Sequence, residues 1–272
     1  MTDDLPEAAG YYAAYYRNFA DAAYAEIRRA EFGEDLGQNN WQTPAELERF
    51  AAQLELSPAV HLLDVACGSG GLAVHLAQTT GCEVTGVDLE ESGLANGRRA
   101  AQDAGLEARV RLIRADASAE LPFGDNSFDA VLCIDALNHL PGRAGVFADW
   151  ARVLVPGGRL LFTDPVTITG LISNQELAAR SSIGYFDFAP PGEDERLLIA
   201  AGLGVVAVED LTEAVAGVAR RRFDARAEHA EALRRLEGDA AFESRQRFMD
   251  MVATLAGERR LSRFAYLAEK PD

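Results

Sequence analysis

From residue 59 onward, short apolar segments alternate with segments of helical periodicity. The apolar segments predict strands at 59–65, 82–88, 109–116, 128–135 and 158–164, with helices at 70–79, 91–104 and 143–153. Apolar strands that alternate with helices are typical of a parallel sheet covered on both faces. Two later apolar segments, at 203–210 and 262–270, predict strands that complete a doubly wound, mostly parallel seven-stranded sheet.

Helical patterns also flank the sheet. Residues 11–30 are rich in tyrosine and predict one helix. The stretch from Thr43 to Glu46 predicts the start of another, because it forms a capping box with proline at the first helical position. Between the last two strands, apolar residues recur at intervals of three and four, which predicts a helical insertion at about 212–258.

Four of the predicted strands have an aspartate at or near the carboxyl end, namely Asp64, Asp88, Asp116 and Asp135. In an open parallel sheet, ligands bind outside the carboxyl ends of the strands. The four carboxylates are therefore expected to face one ligand. The first precedes a turn of small residues, DVACGSG at 64–70, whose glycines lack the Cβ that would block the approach of that ligand.

The composition narrows the range of ligands. The 272-residue chain has 26 Lys and Arg against 43 Asp and Glu, for a formal charge of −17. Such a field repels phosphate backbones and anionic surfaces, so neither nucleic acid nor a membrane is an expected partner. The first ten residues, MTDDLPEAAG, lack an apolar core and are not expected to be a signal peptide. The three cysteines form no CxxC pair, so we expect a cytoplasmic protein without a structural metal.

A strand that leads through glycines into a helix occurs in three kinds of site. GSGGLA at 68–73, with Asp88 about twenty residues on, satisfies the fingerprint of a nicotinamide or flavin site. Ser69 takes the place of a hydrolase nucleophile, but Cys67 stands where that motif needs glycine. The third kind of site holds a nucleoside cofactor without a pyrophosphate. Asp64 favours this third kind, because a carboxylate before the turn suits a cationic group better than a diphosphate.

The segment 61–164 resembles the core of the class I S-adenosylmethionine-dependent methyltransferases. Four stretches carry the resemblance, in the order and spacing of the family: DVACGSG at 64–70, VTGVDLEESGLANGRRA at 84–100, RADASAELPFGDNSFDAVLCIDALNHLPG at 114–142 and ARVLVPGGRLLFTD at 151–164. The resemblance implies a Rossmann-like α/β fold and an enzyme that uses S-adenosyl-L-methionine. Ala66 departs from the family's glycine in the first stretch, and its methyl group should still let the cofactor approach.

The cofactor contacts that the resemblance implies come from the turn and the strand ends. They are Asp64, Ala66, Gly68, Gly70, Asp88, Leu89, Asp116, Ala117 and Ile134. Asp88 can accept both ribose hydroxyls. Asp116 can receive the exocyclic amine of adenine, while Ala117 offers its backbone N–H to the ring. The resemblance implies that Leu89 and Ile134 lie on the two faces of the adenine.

Methyl transfer requires an aligned nucleophile and, for a hydroxyl acceptor, removal of its proton. His139 follows the fourth strand, where a histidine can act as base in similar small-molecule enzymes. Its unperturbed pKa of ~6.5 suits proton removal at neutral pH. Asp164 ends the fifth strand and is expected to orient His139 or to bind the acceptor.

In several small-molecule methyltransferases, a helix before the sheet closes over cofactor and acceptor. By this likeness, residues 1–58 form an N-terminal helical lid and residues 59–272 the core with its insertion. Trp41 is expected to contact the cofactor through cation–π attraction. Acceptor contacts are expected from five residues, namely Tyr12, Tyr16, Asn138, Arg180 and Tyr185.

The expected function is methyl transfer to a hydroxyl or amine of a small molecule, by a monomer or homodimer. Two alternatives stay open. An NAD(P)-dependent oxidoreductase on the same fold would bind NAD in place of S-adenosylmethionine. A non-catalytic cofactor-binding module would have a wide-open acceptor pocket.

Overall fold

Seven strands form one sheet in the computed structural model, which describes residues 8–272. The sheet order is β3-β2-β1-β4-β5-β7-β6. The strands span His61–Val65, Glu83–Asp88, Val110–Arg114, Phe128–Ile134, Leu154–Ile168, Gly204–Asp210 and Leu261–Glu269 for β1 to β7. The first five strands run parallel to one another, whereas β7 runs antiparallel to both β5 and β6. The predicted α/β, Rossmann-like, mostly parallel sheet is therefore confirmed.

Eleven α-helices surround this sheet within residues 8–272. In chain order, α1 to α11 span Ala8–Arg17, Ala22–Phe32, Pro44–Gln53, Gly71–Thr80, Glu91–Asp103, Arg143–Val153, Asn174–Arg180, Glu193–Ala200, Thr212–Glu228, Ala230–Glu237 and Asp239–Gly257. A single 3₁₀ turn, Leu137–His139, follows β4. The segment 1–7, which begins both the expected lid and the stretch considered as a signal peptide, lies outside the described residues.

The tyrosine-rich segment forms two helices where the sequence predicted one. The chain breaks after α1, and the side chain of Asp21 caps α2 by accepting a hydrogen bond from the amide of Ala23. Gly33 ends α2 in the left-handed region at φ +84. An internal N-cap residue thus outweighed the continuous helical pattern. The capping box at Thr43 and Glu46 is present as predicted.

Strand β5 is longer than its predicted span of 158–164. Its pairing with β7 shifts register between Asp164 and Thr167, which marks a bulge, and the strand continues to Ile168. The apolar pattern predicted only the regular part, because a bulge interrupts the alternation of faces.

Both faces of the sheet are covered by apolar layers. One layer joins Phe147 and Trp150 of α6 to Phe162 of β5. The other joins Leu47 and Phe50 of α3 to β1, α4 and α5. Since α3 packs directly on the sheet, part of the expected lid belongs to the core's own packing.

Helices α1 and α2 pack on the insertion formed by α9 to α11. Tyr15 and Tyr24 share an apolar cluster with Leu233 and Phe242 of the insertion. A buried ion pair joins Glu31 of α2 to Arg222 of α9 at 2.7 Å. The N-terminal helices and the insertion therefore form one layer at the carboxyl ends of the strands. Within residues 8–272, no helix is long and apolar enough to cross a membrane.

Candidate active site

A cavity of about 450 Å³ lies outside the carboxyl ends of β1, β2 and β4. Its floor is the turn after β1, and its roof comes from α1 and the loop before α3. The strand order reverses direction between β1 and β4, which is the place where open α/β sheets bind their ligands. Eleven predicted site residues line it: Tyr12, Tyr16, Asp64, Ala66, Gly68, Asp88, Leu89, Ala117, Ile134, His139 and Tyr185.

The turn after β1 adopts a conformation that favours glycine. Gly68 has φ +58 and Gly70 has φ +67, while Ala66 occupies the same region at φ +56. A Cβ on Gly68 would meet the hydroxyl of Tyr16, so this position needs glycine for space as well as for conformation. Gly70 does not line the cavity. Its missing Cβ makes room for Leu112 of β3, and its role is to pack the turn on the sheet.

Two carboxylates with different environments face the cavity. Asp88 accepts hydrogen bonds from the amides of Gly68 and Glu90, both at 2.8 Å, which orient its carboxylate at the end of β2. Asp64 is only 3% exposed, and its Oδ2 has no hydrogen-bond partner among residues 8–272. Burial, together with the negative charge of Asp88, raises the pKa of Asp64 to about 7. A cation placed beside Asp64 would offset both effects.

The other end of the cavity is apolar. Leu89 is 46% exposed and lines the cavity, so it does not pack in the core. Ile134 and Ala117 line the same space. Asp116 is exposed, and its carboxylate turns back to accept bonds from the amide and hydroxyl of Ser118. The residue predicted to receive the adenine amine therefore points along its own loop.

His139 lies in the cavity wall between two fixed partners. Its Nδ1 is 2.9 Å from the carbonyl oxygen of Tyr185, and its Nε2 is 3.0 Å from the hydroxyl of Tyr12. A carbonyl can only accept, so Nδ1 carries the proton and Nε2 accepts from Tyr12. Burial and the nearby charge of Arg180 lower the pKa of His139 to about 4. The ring is neutral at neutral pH, with its lone pair at the cavity side.

Asp164 does not orient His139. It is fully buried, and its Oδ2 accepts from Arg143 at 2.6 Å, while Asp194 accepts from the same nitrogen at 2.7 Å. Both ring nitrogens of His139 are already taken by other groups. The expectation drawn from the strand-end position is therefore corrected, because the side chain of Asp164 turns away from the cavity to the buried guanidinium on α6.

Trp41 and Asp135 also differ from their expected roles. The indole of Trp41 stacks on Phe248 and lies 4.7 Å from the guanidinium of Arg222, outside the cavity. The carboxylate of Asp135 accepts from the amide of Trp41, from Thr163 and from buried Arg263. Both residues thus hold the roof on the sheet, and of the two only Asp135 lines the cavity.

Two predicted acceptor contacts lie behind the cavity wall. Arg180 ends α7 with 1% exposure, and its guanidinium lies over the rings of Phe186 and Phe248 at 4.7 and 5.0 Å. Asn138 is fully buried in the 3₁₀ turn that carries His139. Tyr185, by contrast, is partly exposed at the cavity rim.

Comparisons with known proteins identify the family. Residues 63–162 match a family model described as a methyltransferase domain. The chain is 32% identical, over 203 residues, to the 27-O-demethylrifamycin SV methyltransferase of Amycolatopsis mediterranei, covering 70% of this chain and 74% of that protein. The chain belongs to the S-adenosylmethionine-dependent methyltransferases.

A second relative differs in length. The chain is 33% identical over 191 residues to the glycine/sarcosine/dimethylglycine N-methyltransferase of Actinopolyspora halophila. The match covers 66% of this chain and 34% of that protein, so the chain spans about a third of its length.

Solved structures agree on the fold. The cyclopropane synthase MmaA2 from Mycobacterium tuberculosis superposes with a TM-score of 0.83 at 16% identity, covering 99% of this chain and all of that one. The phosphoethanolamine N-methyltransferase 2 of Haemonchus contortus, in complex with S-adenosyl-L-methionine, gives 0.74 at 22%, covering 95% and 60%. At these identities the likeness concerns the fold alone.

The residues of this methyltransferase fit S-adenosylmethionine as cofactor. The buried, unpartnered oxygen of Asp64 calls for a cation, and this cofactor carries positive charge on its ammonium and sulfonium groups. The turn does not require a ligand with a diphosphate, because the carboxylate of Asp64 before it suits a cationic group instead. Ser69, considered as a hydrolase nucleophile, instead donates its hydroxyl to the carbonyl of Gly37 at 2.5 Å and holds the roof loop on the turn.

Sequence reasoning did not select the roof loop that closes the methyltransferase cavity. Gly37, Gln38, Asn39 and Asn40 all line it, although only the polar character of this loop was apparent from the sequence. The glycine and the two asparagines among these four residues are turn-forming, and they are the signal that could have found the loop. The pattern does not tell a solvent loop from a roof, because contacts with distant residues place the loop there, among them those of Gly37 with Ser69 and of Trp41 with Asp135.

Proposed function

We propose that this methyltransferase methylates a hydroxyl or amine of a small molecule held between α1, the 3₁₀ turn and Tyr185. The observation that carries the proposal is the neutral ring of His139, whose Nε2 accepts a hydrogen bond from Tyr12 at 3.0 Å in the cavity wall. A group that accepts from a tyrosine hydroxyl can equally accept from the hydroxyl or amine of an acceptor in its place.

Six cavity residues account for cofactor binding in this proposal. Asp64 pairs with the cationic amino-acid end, and the turn at Ala66 and Gly68 allows close approach of the backbone. Asp88 retains unused lone pairs on both oxygens and accepts from the ribose hydroxyls. Leu89 and Ile134 provide apolar faces for the adenine.

The bound cofactor supplies an electrophilic methyl group on a sulfonium. The chain then has to exclude water and to align the acceptor. Tyr12 and Tyr16 of α1 line the cavity from above, and Asn96 of α5 holds this helix by donating to the carbonyl of Tyr16 at 2.9 Å. In this proposal α1 and the loop before α3 form the closing part of the lid expected at residues 1–58.

His139 acts as the proton acceptor when the acceptor is a hydroxyl. Its Nδ1–H is anchored on Tyr185, which fixes the ring and leaves Nε2 as the basic atom. Tyr12 has to leave Nε2 before an acceptor can take its place. Burial raises the pKa of Tyr12 well above its ordinary value, so Tyr12 keeps its proton and does not serve as base.

The relatives support both acceptor chemistries. One is named as an N-methyltransferase of glycine, sarcosine and dimethylglycine, and the other as a methyltransferase of 27-O-demethylrifamycin SV. Their names cover an amine and a hydroxyl acceptor. Both acceptor types are compatible with the role proposed here for Nε2 of His139.

Calorimetry and a transfer assay test this function together. S-adenosylmethionine and S-adenosylhomocysteine should bind, whereas NAD and NADP should give no heat. Transfer of a labelled methyl group should then be measured with panels of small hydroxyl and amine compounds. Asp88→Ala should weaken binding by ~2–4 kcal/mol, since it removes charge-assisted hydrogen bonds in a buried site. Asp116→Ala is the matched control, and its affinity should change little because that carboxylate faces Ser118.

Binding of NAD in place of the methyl donor would rule the proposal out. Equal effects of Asp88→Ala and Asp116→Ala would remove the ribose assignment while leaving the reaction class in place.

A further inference from the structure

All but one of the buried arginines that the structure describes are paired with a carboxylate. Seven arginines are buried among the side chains that the structure describes, and six have a carboxylate within 3.2 Å. Those six are Arg28, Arg143, Arg222, Arg226, Arg245 and Arg263. The seventh, Arg180, has none, and its Nε and Nη1 have no hydrogen-bond partner of any kind. The chain has 43 acidic residues, so a shortage of carboxylates does not explain why this buried guanidinium is unpaired.

The surroundings of Arg180 do not compensate its charge. Phe186 and Phe248 face the guanidinium with their rings, and ring contacts supply only part of the interactions that water would give. Burial lowers the pKa of Arg180 to about 10. An unpaired charge of this kind costs folding free energy. The presence of an unpaired arginine at this position is explained if a ligand supplies the anion that pairs with it.

A second buried polar group without partners lies on the 3₁₀ turn that carries His139. Asn138 is fully buried, and neither Oδ1 nor Nδ2 of its side chain has a partner among the described residues. Its backbone carbonyl accepts from the amide of Asp187, which ties the 3₁₀ turn to the segment that carries Phe186. The ring of Phe186 lies 4.6 Å from that of His139 and 4.7 Å from the guanidinium of Arg180. Arg180 therefore lies one aromatic ring away from the proposed base.

We infer that Arg180, with Asn138, binds a carboxylate of the methyl acceptor. The inference deepens the proposed function and rests on it, because it places the anion beside the acceptor atom at His139. A planar carboxylate matches the fork of a guanidinium, and its single charge is neutralised by the single charge of Arg180. A phosphate dianion would leave one charge unpaired among the acidic groups Asp135 and Asp164, whose charges also act on Arg180.

The contact between Tyr12 and His139 bears on how the acceptor would enter. Tyr12 occupies Nε2 of His139, and the charge of Arg180 acts on both of these residues. An acceptor that displaces Tyr12 from His139 brings its carboxylate to Arg180. The substrate class is accordingly a small carboxylic acid that also carries a nucleophilic hydroxyl or amine.

Binding of simple anions to the full chain tests the carboxylate site. Acetate and benzoate serve as probes, their neutral isosteres acetamide and benzamide as controls, and inorganic phosphate as the competing anion. With S-adenosylhomocysteine present, each carboxylate should raise the Tm of wild type by ~2 °C or more, since it binds only the folded state. The amides should have no effect, and neither should phosphate.

Two variants and a control locate the effect. Arg180→Met should abolish the carboxylate shift, and Arg180→Gln does so if the methionine variant folds poorly. Arg220→Met, on an exposed arginine of α9, should retain the shift. Without ligand, Arg180→Met should have a Tm equal to or higher than that of wild type, because it removes an unpaired buried charge. A purely structural arginine would lower Tm on removal.

The outcomes separate the two proposals. No carboxylate shift in wild type, an equal shift in Arg180→Met, or a shift with phosphate alone overturns the carboxylate site. Failure of S-adenosylhomocysteine to bind wild type overturns the proposed function, and the probes can still be tested on the ligand-free chain. A carboxylate shift that needs Arg180, together with normal cofactor binding, supports both.

Discussion

The hydroxyl of Tyr12 lies 3.0 Å from Nε2 of His139, although the two residues are 127 positions apart in the chain. One belongs to the N-terminal helix, and the other to the turn after β4. Their hydrogen bond closes the cavity over the only ring nitrogen of His139 that can accept a proton. This one contact thus links the N-terminal helix of the expected lid to the basic nitrogen of the proposed base.

Removing this contact should change the titration of His139. Tyr12→Phe deletes a donor that favours the neutral ring and lets water reach Nε2, so the pKa of His139 should rise from about 4 toward its ordinary value. NMR titration of the ring resonances measures this directly. Tyr11→Phe is the control, since its neighbour Tyr12 provides the bond. An unchanged pKa in Tyr12→Phe would show that burial alone sets it.

Loss of the base should distinguish oxygen from nitrogen acceptors. With a hydroxyl acceptor, His139→Ala should lower the single-turnover rate by ~10²–10⁴-fold. With an amine that is already neutral, the same change should cost little turnover. His75→Ala, on α4 away from the cavity, should be silent for both. A loss of only a few-fold with a hydroxyl acceptor would exclude His139 as the base.

The pH profile for a hydroxyl acceptor should lack a step near pH 6.5. An ordinary histidine would titrate there, but the pKa of His139 is lowered to about 4, so the ring is neutral throughout pH 6–8. The contribution of His139 to the rate should fall only as the pH drops toward 4. A rate that rises steeply between pH 6 and 7, and does so equally in Asp64→Asn, would contradict the lowered pKa.

Cofactor affinity should depend on pH through Asp64. The pKa of this carboxyl is raised to about 7 in the ligand-free protein, and binding of a cation requires the charged form. Affinity for S-adenosylhomocysteine should therefore fall as the pH drops from 8 to 6, with proton release on binding near pH 7. Calorimetry in two buffers of different ionisation enthalpy measures the released proton. Asp64→Asn should weaken binding and remove this proton release.

The same residue should affect stability with the opposite sign. Since folding raises the pKa of Asp64, the charged carboxylate destabilises the ligand-free protein increasingly as pH rises from about 4 through 7. Asp64→Asn should therefore raise the Tm at pH 8 and leave it nearly unchanged at pH 4. A lower Tm at pH 8 would show that the carboxylate is satisfied within the fold.

Asp164 should prove to be a structural residue. Asp164→Asn removes a buried partner of Arg143, and the free energy of unfolding should fall by about 3 kcal/mol. Asp187→Asn removes a more exposed partner of the same guanidinium and should cost about 1 kcal/mol or less. Urea unfolding compares the two. If Asp164→Asn leaves stability intact but reproduces the rate loss of His139→Ala, the orienting role is restored.

Ala66 should be replaceable by the glycine that the family has at this position of the turn. Ala66 holds φ +56, where a Cβ costs ~1–2 kcal/mol, so Ala66→Gly should leave cofactor binding intact and keep or raise the free energy of unfolding. Ala95→Gly, on the exposed side of α5, should lower it by ~1 kcal/mol because that position is helical. Destabilisation by both changes would mean that the methyl group of Ala66 contributes packing.

The sequence by itself determined the sheet and the place of the site. Strands that are buried on both faces have to be apolar throughout, and the turn at Gly68 needs left-handed backbone, so both leave local signals. Asp88 could be predicted for a similar reason. It ends the strand that lies beside this turn, so its carboxylate has to lie close to the turn. Even the strand boundaries differ from the predicted ones by only a few residues, except at the bulge of β5.

Only the tertiary structure decided which charges are free. Asp135 is held by Arg263, 128 residues away, and Asp164 by Arg143 of α6, so two strand-end carboxylates that look alike in sequence are each paired with a buried arginine. Within the part of the chain that the structure describes, Arg180 is set apart from six other buried arginines by the absence of such a partner. Desolvation and pairing arise from contacts between segments that are distant in the chain, and no local pattern of residues records them.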